Sequence, residues 1–126
     1  MSKKTKNKKV ILVLGATGDI GSCIADLLEE CGMVVCRHGR TGEYSADVKD
    51  ENQTKKLVNQ VINRFGKIDG VINVLSAPAK IGSFESKNWD DFLEQFNVQL
   101  KAVVAVTKLV VPYMKKQKKG RIINIL

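Results

Sequence analysis

The stretch Val10-Ile-Leu-Val-Leu14-Gly15-Ala-Thr-Gly18-Asp-Ile-Gly21 decides how the rest of the chain is read. Five apolar residues without a polar interruption read as a strand buried on both faces, and the glycines open an amphipathic segment from Ile20 to Cys31. In a strand-turn-helix of this kind the first glycine permits a turn too sharp for a Cβ. The second lets backbone approach a phosphate, and the third lets the helix pack close to the strand. The helix N-terminus then offers unpaired N–H groups and a partial positive charge to an anion. Gly-x-x-Gly-x-x-Gly alone occurs in many turns; its place between a buried strand and a helix is what suggests a nucleotide cradle. Packing without any ligand remains the other reading of Gly21.

Downstream, Gly32 ends the helix and Met33-Val-Val-Cys36 reads as a second strand, so that Val10 to Arg40 forms a β-α-β unit. A right-handed crossover puts the two strands parallel and adjacent. Tyr44 to Val48 is a third strand candidate, and Asp50 with Gln53 resembles a helix-start capping pair. Leu57, Val58, Val61, Ile62 and Phe65 give one apolar face to a helix over Glu51 to Phe65, closed by Gly66. Val71-Ile-Asn-Val-Leu75 is a further buried strand, and Ser76 to Lys87 a loop. Ser86 is the expected cap of a long helix from Trp89, with Phe92, Phe96, Leu100, Val103, Val104, Thr107, Val110, Val111 and Met114 as its packing stripe and Pro112 kinking or ending its last turn. Ile122 to Leu126 is a last strand. Strands and helices alternating at these spacings predict an α/β fold, a doubly wound parallel sheet of Rossmann type over residues 10–126, preceded by a disordered lysine-rich tail over 1–9.

The net charge of +8 comes from lysines at two places, five in the first nine residues and four in Lys115-Lys116-Gln117-Lys118-Lys119. A solvated tail and a solvated helix end account for both, and no aromatic-studded basic stripe accompanies them, so a nucleic-acid partner is not expected. The longest apolar runs are too short to span a bilayer, and the basic start lacks a signal-peptide pattern; a cytoplasmic protein is expected. Cys23, Cys31 and Cys36 contain no Cys-x-x-Cys pair and His38 reads as a loop-edge residue without a second ligand, so no metal is expected.

Several motifs in the same order resemble the short-chain dehydrogenase/reductase family. Gly15, Gly18 and Gly21 are similar to its cofactor loop, Asp47-Val48 to its adenine-binding pair, and Asp69-Gly-Val-Ile-Asn73 to the strand before its Asn-Asn-Ala-Gly. Trp89-Asp90, Val98-Gln-Leu-Lys101, Thr107, Pro112-Tyr-Met114 and Gly120-Arg-Ile-Ile-Asn124 resemble its long interface helix and the following strand. The resemblance implies a cofactor site made by Gly15, Thr17, Gly18, Asp19, Ile20, Gly21, Arg40, Thr41, Asp47, Val48, Asn73 and Ser76. Asn73 is open to a second reading, bonding neighbouring backbone in a buried strand, and Arg40 to one as a solvated loop arginine. The sequence departs from the family in three places. Val74-Leu75-Ser76 replaces Asn-Ala-Gly, so a serine stands where a glycine would let the cofactor lie close. Gln99 falls on the asparagine position of the catalytic tetrad, where a polar residue on the helix surface is the alternative to a proton relay. The catalytic serine would follow Leu126, and neither Tyr44 nor Tyr113 has a lysine four residues on.

The expectation is therefore the NADP(H)-binding part of a short-chain oxidoreductase acting on a carbonyl or alcohol, without turnover of its own. NADP is expected over NAD because Gly39, followed by Arg40 and Thr41, occupies the place of the acid that would accept from a ribose 2′-OH. The rivals are a non-catalytic nucleotide-binding module, an inactive truncated gene product and, from the lysines, a nucleic-acid binder. Ile122, Ile123, Ile125 and Leu126, apolar on both faces, together with Val103, Val106 and Val110 on the helix surface, lead to an expectation of self-association or of a complementing fragment.

Overall fold

In the computed structural model, which describes residues 6–125, β1 (Val10–Leu14) is buried at every position because it is the middle of the sheet. It is flanked by β2 (Val34–Gly39) and β3 (Tyr44–Ser45) on one side and by β4 (Gly70–Asn73) and β5 (Arg121–Asn124) on the other. The order is β3-β2-β1-β4-β5, every pairing parallel. Residues 1–5 of the expected tail and Leu126 lie outside the described residues; Lys6, Lys8 and Lys9 are exposed.

Alternation along β1 sends side chains to both faces. Val10, Leu12 and Leu14, with Cys36 and Val71, pack against α2 (Glu51–Phe65) through Leu57, Val58 and Val61 and against α4 (Ala102–Gln117) through Val106, Val110 and Met114. Ile11, Val13 and Ile72 face Ile24 and Leu28 of α1 (Asp19–Glu30). The sheet is thus wound on both faces. The strand order reverses between β1 and β4, which opens a crevice at the carboxyl ends of these strands.

Local chemistry sets the element ends. Asp50 caps α2 by accepting from the Asn52 and Gln53 N–H groups, while the Gln53 Oε1 turns back to the Asp47 N–H at 2.8 Å. Gly66, at φ 72°, closes that helix. β2 is longer than Met33–Cys36, because Arg37 and His38 continue it, and β3 is shorter than Tyr44–Val48, because only Tyr44 and Ser45 pair with β2.

The second half corrects four expectations. Ser86 ends a short 3-10 turn, Phe84–Ser86, and the cap is Asn88, which forms a reciprocal capping box with Asp91. The long helix is broken: α3 (Trp89–Phe96) passes through a π-helical turn, Asn97–Lys101, before α4. Widening the helix there rotates every later residue about the axis. Val98, Ala102, Val106, Val110 and Met114 therefore point inward, whereas Leu100 and Val104, expected in the packing stripe, are about half exposed, as is Phe96 just before the turn; Val106, expected at the surface, is fully buried, and Val110, read both as stripe and as surface, is buried as the stripe requires. Pro112 does not end α4. It lies on the exposed side, as does Lys108, whose carbonyl loses its helical N–H partner there.

Gln117 closes the turn into β5, accepting from the Ile68 N–H at 3.1 Å and donating to the Ile68 carbonyl at 2.9 Å. Asp69 N–H donates to the Val10 carbonyl and Arg121 N–H to the Asp69 carbonyl. By this register Lys8 and Lys9, Lys67, and Lys118 and Lys119 precede three adjacent strands at the amino-terminal end of the sheet.

Candidate functional site

At the carboxyl ends of β1, β2 and β4 lies an open groove of about 510 Å3. Its walls bring together, from separate parts of the chain, Gly15, Thr17 and Gly18 of the turn after β1, Gly39 and Arg40 after β2, Asp47 and Val48 after β3, and Ser76 after β4.

The three glycines do different things. A Cβ on Gly15, at φ 82°, would sit 2.5 Å from the Val74 carbonyl oxygen, and one on Gly21 would overlap the Gly15 carbonyl oxygen outright. Both positions are set by the protein's own packing. A Cβ on Gly18 would meet nothing nearer than 3.7 Å. Gly18 also occupies the N-cap of α1 without any side chain capping that helix. Its bare backbone faces the groove, and the first amides of α1 keep their affinity for an anion.

Gly39 is compressed as well: a Cβ there would lie 2.5 Å from Cγ2 of Thr17. An acidic side chain at this position would have to displace the Thr17 side chain. Arg40 beside it is exposed and makes no ion pair among the described residues. Asp47 is held in a tight turn, its Oδ1 accepting from the Lys49 N–H at 3.0 Å.

Other residues expected at the site are not among those lining its walls. Asp19 and Ile20 are exposed at the start of α1, and Thr41 is exposed in the loop after Arg40. Asn73 is 2 % exposed and donates through Nδ2 to Asn124 Oδ1 at 2.6 Å, while its own Oδ1 has no partner among the described residues. Gln99, in the π-helical turn, donates to Gln95 Oε1 at 3.0 Å; Gln95 in turn donates to the carbonyls of Ala77 at 3.2 Å and Pro78 at 3.4 Å. The two glutamines tie the broken helix to the loop after β4.

His38 corrects its reading as a loop-edge residue. It is 4 % exposed on β2 and lines the groove floor, its Nδ1 accepting from the Gly15 N–H at 3.1 Å and its Nε2 lying 2.9 Å from the Ala46 carbonyl. Burial lowers its pKa from the ordinary histidine value, so the ring is neutral with the proton on Nε2. Val74, Leu75 and Val98 also line the groove. The sequence signal for Val98 was hidden by the π turn, and that for His38 by a strand boundary placed two residues short of it.

Among the described residues no cluster of His, Cys, Asp or Glu could hold a metal ion, and no helix is long and apolar enough to cross a membrane.

Known proteins share this arrangement. The 3-oxoacyl-[acyl-carrier-protein] reductase FabG of Thermotoga maritima is 31% identical over 137 aligned residues, which cover 93% of this chain and 54% of the relative. A 3-ketodihydrosphingosine reductase of Bacteroides thetaiotaomicron is 31% identical, with 93% and 46% covered. The crystal structure of an actinorhodin polyketide ketoreductase variant with NADPH superposes with a TM-score of 0.87 at 28% identity, covering 95% of this chain and 53% of that one. The chain thus spans about half the length of the curated relatives it matches. The family described as short chain dehydrogenase matches residues 9–126, from the strand that opens the glycine turn to the strand beyond the π turn, and the chain belongs to that family.

Proposed function

We propose that this chain is the NADP(H)-binding part of a short-chain oxidoreductase that acts on a carbonyl or alcohol. The observation that carries the reading is Gly18: the only one of the turn's three glycines that the protein's own packing does not require is the one that bares backbone to the groove, at an uncapped helix N-terminus. In this reading the pyrophosphate lies against Gly18 and the first amides of α1, Asp47 and Val48 hold the adenine, and Arg40 with Thr41 takes the 2′-phosphate. The bound cofactor would supply hydride; this chain's residues would bind and orient it. Preference for NADP rests on Gly39, which stands where an acid would accept from a ribose 2′-OH and where the Thr17 side chain crowds any Cβ, and on Arg40, which has no competing ion pair among the described residues. The NADPH seen in the ketoreductase at 28% identity supports the same assignment. A cytoplasmic location belongs to the proposal too.

Calorimetry of the chain with NADPH and NADH tests it. Arg40→Asp should weaken NADPH binding about tenfold or more, as loss of a charge-assisted phosphate contact does, and leave NADH nearly unchanged. Equal weakening of both overturns the NADP assignment.

Self-association is part of the same reading. Trp89, Leu93, Phe96, Leu100 and Val104 make a continuous apolar stripe 40–68% exposed, and Ile123 on the edge strand β5 is 45% exposed. A second copy, or a fragment completing the sheet, would cover them.

A further inference from the structure

His38 crosses the floor of the groove with both ring nitrogens engaged and only 4 % of its surface exposed. Its carbonyl accepts from the Ala16 N–H at 2.9 Å while its Nδ1 accepts from the Gly15 N–H. Two consecutive amides of the glycine turn are therefore anchored on one residue. At the other end of the ring, Nε2–H donates to the Ala46 carbonyl, the residue before Asp47. That segment is also held by the two-residue pairing of β3 with β2, by Ala46 N–H to the Gly39 carbonyl at 3.2 Å, by Asp47 N–H to Gln53, by the turn at Asp47 and by the burial of Ala46 and Val48, and the ring adds the tie that runs from it to the glycine turn. The imidazole is a strut between two loops that sequence keeps about thirty residues apart.

We infer that His38 is a positioning residue, which sets the spacing between the turn Gly15–Gly18 and the segment Ala46–Val48 so that both ends of the adenosine half of a dinucleotide are met at once. This rests on the proposed cofactor reading. The strut works in one protonation state. A ring carrying protons on both nitrogens presents N–H to the N–H of Gly15, so that bond is lost on protonation. Burial outweighs the Ala46 carbonyl, which favours the charged ring, and the side chains around it do not hold that form. Tyr44, opposite it on β3, and Cys36, two residues earlier on β2, are neutral, with their pKa values raised to about 12 and about 11 chiefly by burial. Arg37 is turned to Asp26 and Glu29 of α1; Arg64 of α2 is engaged by Glu43 and the Tyr44 hydroxyl. Arg40 and Lys49 oppose a second positive charge in the groove, and Asp47 is the acid lining it.

The test uses the 126-residue chain, with NADPH and with 2′-AMP, which carries adenine and a 2′-phosphate but no pyrophosphate. His38→Gln should weaken NADPH about tenfold, the cost of a buried hydrogen bond left unmade, and 2′-AMP less than about twofold, because only the longer ligand needs both loops in register. In the unaltered chain without ligand, nitrogen NMR should show the Nε2–H tautomer. From neutral into the acid range its NADPH affinity should fall in step with the His38 titration, a component absent from His38→Gln. Equal loss for both ligands, or an Nδ1–H tautomer, overturns the inference and leaves the cofactor reading intact. Failure of the unaltered chain to bind NADPH, with the tautomer as stated, overturns the cofactor reading and the role built on it. If His38→Gln does not fold, the tautomer and the paired titration of the unaltered chain decide.

Discussion

At the scale of the residue, Gly18 and Gly21 are identical in the sequence pattern and opposite in the structure. A methyl on Gly21 would overlap the Gly15 carbonyl, whereas a methyl on Gly18 makes only an ordinary contact, 3.7 Å from the same oxygen. Gly21→Ala should therefore destabilise by several kcal/mol, in the range of overpacking against rigid backbone. Gly18→Ala should change stability by less than about 1 kcal/mol while weakening nucleotide binding. Urea unfolding paired with calorimetry separates the two, and a Gly18→Ala chain as unstable as Gly21→Ala would show that the turn, and not a ligand, requires both. The cysteines divide in the same way. Cys23 and Cys31 are exposed, whereas Cys36 is buried, its thiol pushed up to about 11. Because the thiolate is the reactive form, a disulfide reagent should titrate two thiols in the native chain and the third only on unfolding.

At the scale of the element, the first half was legible because each apolar run had one meaning. Periodicity placed α2 at the residues it occupies, and β1 read as buried on both faces because no polar residue interrupts it. The second half was less legible for a local reason. A stripe counted at 3.6 residues per turn loses phase when one turn is π-helical, and nothing in Asn97-Val-Gln-Leu-Lys101 announces the wider turn. The error falls on Leu100 and Val104, counted as core and found on the outside. Their exposure makes the proposed association testable at one position. Leu100→Lys should shift the chain from larger species toward monomer in sedimentation velocity with its melting temperature nearly unchanged, since Leu100 is 54% exposed. An unaltered chain that sediments as monomer at high concentration would rule the association out. The groove was legible where it is made of turns with fixed chemistry, Gly15 to Gly18 and Asp47-Val48. It was not legible where strand residues contribute, because what His38 and Val98 face is settled only by the packing of distant segments.

At the scale of the whole molecule, the two lysine clusters that read as separate solvated ends are brought to one end of the strands. Lys8 and Lys9, Lys67, and Lys118 and Lys119 enter neighbouring strands, which lie about 4.8 Å apart. Of these, Lys67 alone has a carboxylate partner among the described residues, Asp69 at 3.2 Å. Lys118 moreover holds the left-handed conformation, φ 58°, that glycine would adopt without strain. This end of the sheet behaves as a charged plate: folding does electrostatic work to assemble it, and that work is recovered when the chain opens. Mobile ions shorten the reach of this repulsion to about 8 Å at physiological ionic strength. Added sodium chloride should therefore raise the melting temperature over the range in which it screens surface charge. Lys118→Gly should raise it further and flatten its salt dependence, because it removes one charge and the backbone strain together. A melting temperature that falls with salt would mean that the ion pairs of Arg37, Arg64 and Lys49 outweigh the plate. The proposed cofactor site, at the far end of the strands, would be untouched by the Lys118 substitution: the molecule stores its excess charge at one pole and leaves its groove at the other.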